Sequence, residues 1–113
     1  MMRLRYGDNF ARSTQAISYG EELKLGDVRI KFHPAGHVLG SAQILLERKG
    51  ERIVVTGDYK RRPDPTCLPF QPAACDILIT EATFALPIFT HPPIEREIAR
   101  LLAARDANPD RCV

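Results

Sequence analysis

"HPAGHVLGSAQILL" (residues 33–46) places two imidazoles, His33 and His37, in a turn that also carries Gly36, Gly40 and Ser41. The turn runs directly into an apolar stretch that reads as a strand. "IVVTGDYKRR" (53–62) has the opposite order: an apolar strand stops at Gly57 and Asp58, then gives way to Tyr59, Lys60, Arg61 and Arg62. Between them, "RKGE" (48–51) is a turn signal, so "AQILLER" and "RIVVTGD" pair as an antiparallel hairpin.

Upstream, Val28, Ile30 and Phe32 alternate with Arg29 and Lys31, the period of a half-buried strand that ends at Pro34. Before it, Glu22 to Leu25 is a short strand stopped by Gly26 and Asp27, and Gln15 to Tyr19 reads as a weak strand closed by Gly20. "MMRLRYGDNFARS" is polar and basic and reads as a surface segment or the stump of something longer. Downstream, four prolines fall in "RRPDPTCLPFQPAAC", so that stretch is an extended connection. "DILITEAT" is a further apolar strand. "HPPIEREIARLLAARDAN" is an amphipathic helix over about 92–107. Pro92 and Pro93 sit in its first turn, Glu95 and Glu97 near its start, and Ile94, Ile98, Leu101 and Leu102 on its apolar stripe. Val113, after a turn signal, reads as the first residue of a further strand.

The 113 residues are 44% hydrophobic and 27% charged, an ordinary globular composition with length for a core. A net charge of +2 excludes a polycationic tail but not a local basic patch. Three cysteines, Cys67, Cys75 and Cys112, form no CxxC pair, which argues against a disulfide framework or zinc knuckle and for a reducing cytoplasm. They read as small buried or half-buried hydrophobes. No apolar run approaches a membrane span, and no secretory leader opens the chain.

Each strong strand delivers a chemically capable residue at its end: His37 after the strand through Phe32, Asp58 after that through Val55, and Glu81 after that through Ile79. Strand ends hold loop residues rigidly, so one imidazole and two carboxylates could converge there. Imidazole and carboxylate oxygen are both zinc ligands. Each also has an ordinary reading. A loop histidine is commonly just hydrogen-bonded or solvated, Asp after Gly is a frequent turn residue, and Glu81 could cap a local turn. Lys60, Arg61 and Arg62 could be a solvated loop, and His33, directly before Pro34, reads as structural.

In order and spacing, "PAGHVLGSAQILLE", "ERIVVTGDYKR" and "CDILITEATFALP" resemble the metallo-β-lactamase-fold nucleases of the β-CASP group. The wording is closest to bacterial ligase-associated DNA exonucleases and mRNA 3′-end processing factor-like exonucleases. The resemblance covers the chain from about Arg5 to Val113. It implies an α/β fold, part of a metallo-β-lactamase αββα sandwich: a β-rich, mostly antiparallel half plus one C-terminal helix. On this reading residues 1–85 are the second half of the metallo-β-lactamase domain and 86–113 the start of the β-CASP region.

Carried over residue by residue, the resemblance makes His37 a ligand of one zinc and Asp58 the carboxylate that bridges two. Glu81 becomes the acidic residue that supports the site through a later histidine. Ser41 occupies the small-residue position after the glycine turn, as a substrate-side contact. Lys60, Arg61 and Arg62 fall on the rim, where they could meet a nucleic-acid backbone. Two zinc ions are implied, with manganese the other ion to consider, acting by metal-activated water. The implied partners are DNA or RNA and, for the ligase-associated subgroup, a DNA ligase or its operon partners.

The chain departs from the family where the HxHxDH signature and the later β-CASP histidines should stand; only His91 remains after Glu81. It is therefore expected to be an internal fragment of a longer nuclease, inactive alone. The alternatives are a non-catalytic fragment or module of that fold, and a small-molecule ester or thioester hydrolase on the same scaffold. A fragment should show polar strand ends on one edge of a sheet and an apolar face left open.

Overall fold

The computed structural model describes residues 2–111, so the expectation of a strand at Val113 and the reading of Cys112 lie outside the described residues. The chain divides into two compact units, Met1–Glu81 and Ala82–Val113.

The first unit holds a short helix, α1 (Met2–Tyr6), and one five-stranded sheet. Its strands are β1 (Glu22–Leu25), β2 (Val28–Pro34), β3 (Ala42–Arg48), β4 (Glu51–Val55) and β5 (Ile77–Ile79). They lie side by side in chain order: β1 to β4 are successively antiparallel, and β5 joins β4 in parallel. The α/β architecture with a mostly antiparallel sheet and a C-terminal helix is the expected one.

The turns explain the hairpins. Lys49 and Gly50 both have positive φ, 50° and 88°, as a two-residue turn requires to match the twist of β3 and β4. The parallel partner needs a longer return. Residues 56–76 supply it without helix or strand, as four prolines dictate. Backbone bonds from Thr56 N to Ile79 O (3.0 Å) and Asp76 N to Arg52 O (2.8 Å) tie β4 and β5 at both ends. Asp76 also accepts from Arg52 N through its carboxylate at 2.8 Å.

Register sorts the side chains. Opposing pairs such as Ile30 and Leu46, Leu46 and Ile53, and Ile53 and Ile77 share one face, which is apolar up to the Arg48 and Glu51 pair beside the hairpin turn. The other face carries His33 with Gln43 and Leu45 with Val54. The most deeply buried residues lie on that second face and in the adjoining loop: Ala35 is 0% exposed, Val54 1%, Gln43 2% and Thr56 3%. Along the apolar face Ile30, Ile44, Leu46, Ile53 and Val55 are only half-buried and Ile77 and Ile79 are exposed, with Pro34 buried at the end of β2, so the expected open apolar face is present.

The structure changes two expectations about the elements and adds one element. Gln15 to Tyr19 forms no strand; just after it Gly20 N donates to Phe32 O at 2.9 Å, a single bond that makes no ladder. The basic N-terminal stretch contains α1. The C-terminal helix, α2, starts at Ile94, not Pro92, with Pro93 as N-cap at φ −56° and ψ 137°, extended geometry outside the helix. In the second unit α2 (Ile94–Ala107) carries Glu95 and Glu97 in its first turn and Arg105 in its last, matching the helix dipole. Its end is closed by Asn108 Nδ2 donating to Ala104 O at 2.9 Å. Ahead of it, Phe84 meets Phe89 and His91 edge-on, with ring centroids 5.3 and 5.6 Å apart.

Candidate metal and nuclease site

β2, β4 and β5 all run in one direction, because β2 and β4 are each antiparallel to β3 and β5 is parallel to β4. Their C-terminal ends therefore share one edge of the sheet. That edge carries the loop 35–41 after β2, the residues after β4, and Thr80 and Glu81 after β5.

His37 Nε2 and Asp58 Oδ2 approach to 4.0 Å at this edge, from two loops that are separated by a full hairpin in sequence. Both side chains are exposed. The first loop is closed upon itself: Ala35 N donates to Ser41 O (3.1 Å) and Ser41 N to Val38 O (3.0 Å). Ser41 Oγ accepts from the backbone N–H groups of His37 (3.1 Å) and Val38 (3.2 Å), and Tyr19 Oη donates to Ser41 O at 2.9 Å. The Ser41 hydroxyl oxygen is thus directed at the backbone that carries the imidazole.

Gly36 has φ +69°, the left-handed region that favours glycine. A Cβ there would lie 2.5 Å from Lys60 O and 2.7 Å from Phe70 N. The connector after Asp58 thus crosses directly over the approach to His37. It is fastened there by Lys60 N donating to Ala35 O (3.0 Å) and Gln71 N donating to Pro34 O (3.1 Å). Gln43 Nε2 donates to both Pro34 O (3.0 Å) and Gln71 O (2.7 Å). The Tyr59 and Phe70 rings, 5.3 Å apart, pack across the mouth of the connector.

Lys60 Nζ is engaged inside the connector, paired with the Asp64 carboxylate. Asp64 also accepts from Thr66 N (2.9 Å) and Thr66 Oγ1 (2.6 Å). The Lys60 hydrogen bond, then the two from Thr66, hold the Asp64 carboxyl far below its ordinary value. Of the three basic residues assigned to a rim, Lys60 is therefore half-buried in an internal ion pair, while Arg61 and Arg62 are exposed.

Glu81 is half-buried beyond β5, where Thr56 Oγ1 and Thr80 Oγ1, 3.4 Å apart, link the two strand ends. The three-way convergence expected of His37, Asp58 and Glu81 does not form: among the described residues no group of three or more His, Cys, Asp or Glu side chains could hold a metal. His33 is half-buried, and its Nε2 has no hydrogen-bond partner among the described residues. Cys67 and Cys75 are half-buried free thiols. Sequence reasoning did not single out Gln43, which reads there as one more strand residue.

The His37 and Asp58 donors fit a zinc ion as a partial set. Two donors each about 2.1 Å from a tetrahedral ion lie about 3.4 Å apart, so the observed separation needs a small closure. Both side chains reach the site from loop backbone and are open to solvent.

No family model matches the chain. Among curated proteins, it is 40% identical over 89 residues to "Endoribonuclease ysh1" of Aspergillus fumigatus, a match over 75% of this chain and 10% of that protein. It is 36% identical over 90 residues to an "RNase J-like protein" of Methanocaldococcus jannaschii, covering 74% of this chain and 21% of that one. A "Probable DNA ligase" of Opitutus terrae is 36% identical over 85 residues, covering 73% of this chain and 8% of the relative. The chain thus spans a small part of the curated relatives it matches.

Proposed function

Since this chain belongs, as a homologous segment, to the β-CASP group of metallo-β-lactamase-fold nucleases, we propose that it serves a metal-dependent nuclease that hydrolyses phosphodiester bonds in nucleic acid. The observation that carries this reading is the approach of His37 Nε2 to Asp58 Oδ2 at the common end of β2 and β4.

His37 and Asp58 would hold the metal, and the remaining donors would come from outside these described residues. A bound divalent ion would polarise the scissile phosphate and lower the pKa of an attacking water. Ser41 fixes the His37 backbone. Glu81 supports the edge from the end of β5. Arg61 and Arg62, exposed beside the Asp58 loop, meet the phosphate backbone by charge, with Lys60 in a structural pair. Alone, the described residues offer too few donors to close a tetrahedral site, so the 113-residue chain is expected to be inactive.

We assign the cleavage as exonucleolytic, on DNA at repair and ligation or on RNA 3′ ends. The match to a protein described as a probable DNA ligase supports a link to DNA ligation. The match to an endoribonuclease favours a second reading, internal cleavage of RNA. A circular single strand separates them: an endonuclease cuts it and an exonuclease leaves it whole.

The deciding experiment replaces Asp58 in the full-length protein. Asp58→Ala is expected to lower zinc content and to cut nuclease rate by about a hundred-fold or more. Wild-type zinc content together with a wild-type rate would defeat the assignment.

A further inference from the structure

We infer that Gln43 is a positioning residue that sets the separation of His37 and Asp58; the inference rests on the metal-site reading above. Gln43 lies at the start of β3, between the strands that deliver the two donors, and its side chain is almost wholly sealed from solvent. Burying a carboxamide is costly unless its hydrogen bonds are made. A filler at this position would be apolar, as Val54 is on the same face.

The amide makes two specific bonds. Carbonyl oxygens only accept, so the end of Gln43 that faces Pro34 O and Gln71 O must be the NH₂ group, and both of its hydrogens are spent there. Pro34 is the last residue of β2, three residues before His37. Gln71 lies where the connector from Asp58 passes back over that point, beside the bond from Gln71 N to Pro34 O. One side chain therefore joins the backbone leading into His37 to the backbone leading away from Asp58. Gly36 allows the two to touch, and the Lys60 N to Ala35 O bond closes the opposite side.

Without the clamp the connector keeps its internal Lys60 and Asp64 pair but loses a buried fastening to the loop of His37. The two donors would then sample a wider range of separations. That weakens a metal held between them without altering how nucleic acid meets the exposed arginines.

The test uses Gln43→Met, which keeps length and removes both donors, in the full-length protein. Gln43→Asn is the milder variant: it keeps the NH₂ group but is one methylene too short to span both carbonyls. Val54→Ala is the control for lost burial on the same face. Zinc affinity is read by chelator competition, kcat and KM on an oligonucleotide, and amide hydrogen exchange on the metal-free protein. Gln43→Met is expected to weaken zinc binding by about ten-fold or more and to lower kcat with KM held. It should also speed exchange selectively in residues 35–41 and 59–71, with Gln43→Asn in between. Val54→Ala should leave zinc affinity unchanged. Wild-type zinc affinity in Gln43→Met, or exchange that rises evenly across the sheet as in Val54→Ala, overturns the proposal. If the wild-type protein takes up no zinc, the nuclease reading fails and the exchange pattern alone decides the clamp.

Discussion

Val54 and Val55 are neighbours in β4, identical in chemistry, and opposite in fate. Val54 is sealed beneath the face that the connector crosses, whereas Val55 points to the apolar face and is only half-buried. The same contrast holds for the two faces as wholes. The face bearing Gln43 and Thr56 is partly polar yet contains the most deeply buried strand residues; on the opposite face the apolar Ile30, Ile44, Leu46 and Ile53 are only half-buried, and Pro34 is buried where β2 meets the connector. Burial here follows where the chain lays its own connector, not where it concentrates hydrophobic side chains. The edge strand β5 is open on both faces, with Leu78 58% and Ile79 54% exposed.

The largest expected effect falls at the crossing itself. Gly36→Ala adds left-handed strain to a clash with two backbone groups, and should cost about 3 kcal/mol or more in urea unfolding. A loss below about 1 kcal/mol would show that the connector lifts away easily. Next, Val54→Ala should cost about 2 kcal/mol and Val55→Ala about half as much in the 113-residue chain. Equal losses would break the contrast between faces. Repeating the pair in the full-length protein sharpens it: an increased cost for Val55→Ala would mean that the apolar face is covered there.

The smallest effect concerns the buckle inside the connector. Asp64 titrates below its ordinary value of 3.8 because Lys60 and Thr66 donate to its charged form. A lowered carboxyl pKa contributes stability that is complete above the ordinary value and lost as pH falls through the folded one. The stability difference between wild type and Asp64→Asn should therefore be flat from neutral pH to about pH 5 and shrink in more acid solution. A difference that changes between about pH 6 and 8 would assign the effect to another group.

Much of this was legible because strands write themselves in a period of two. Val28, Ile30 and Phe32 announced β2, "RKGE" announced the hairpin, and four prolines announced an extended return. The strand ends could be placed on one edge from direction alone, which brought His37 toward Asp58. What stayed hidden depends on tertiary crossing. The alternation puts Gln43 in step with Leu45 and Glu47, a mixed pattern that reads as a solvent face. Only the connector's path reveals that Gln43 is covered. Lys60 looked like a rim cation because its partner, Asp64, sits four residues away in a stretch without helical periodicity. Gln15 to Tyr19 had strand-like residues but too few backbone partners on the sheet, a fact no local pattern records.

The sheet's sequential order also dictates a timetable for assembly. Strands β1 to β4 can zip together through neighbouring hairpins, whereas β5 must wait for the span 56–76 to close a far larger loop. Refolding followed by pulsed deuterium labelling should therefore show the amide of Leu45 guarded before those of Thr56 and Asp76. The rim that brings His37 and Asp58 together would mature last, after the hairpins had already formed.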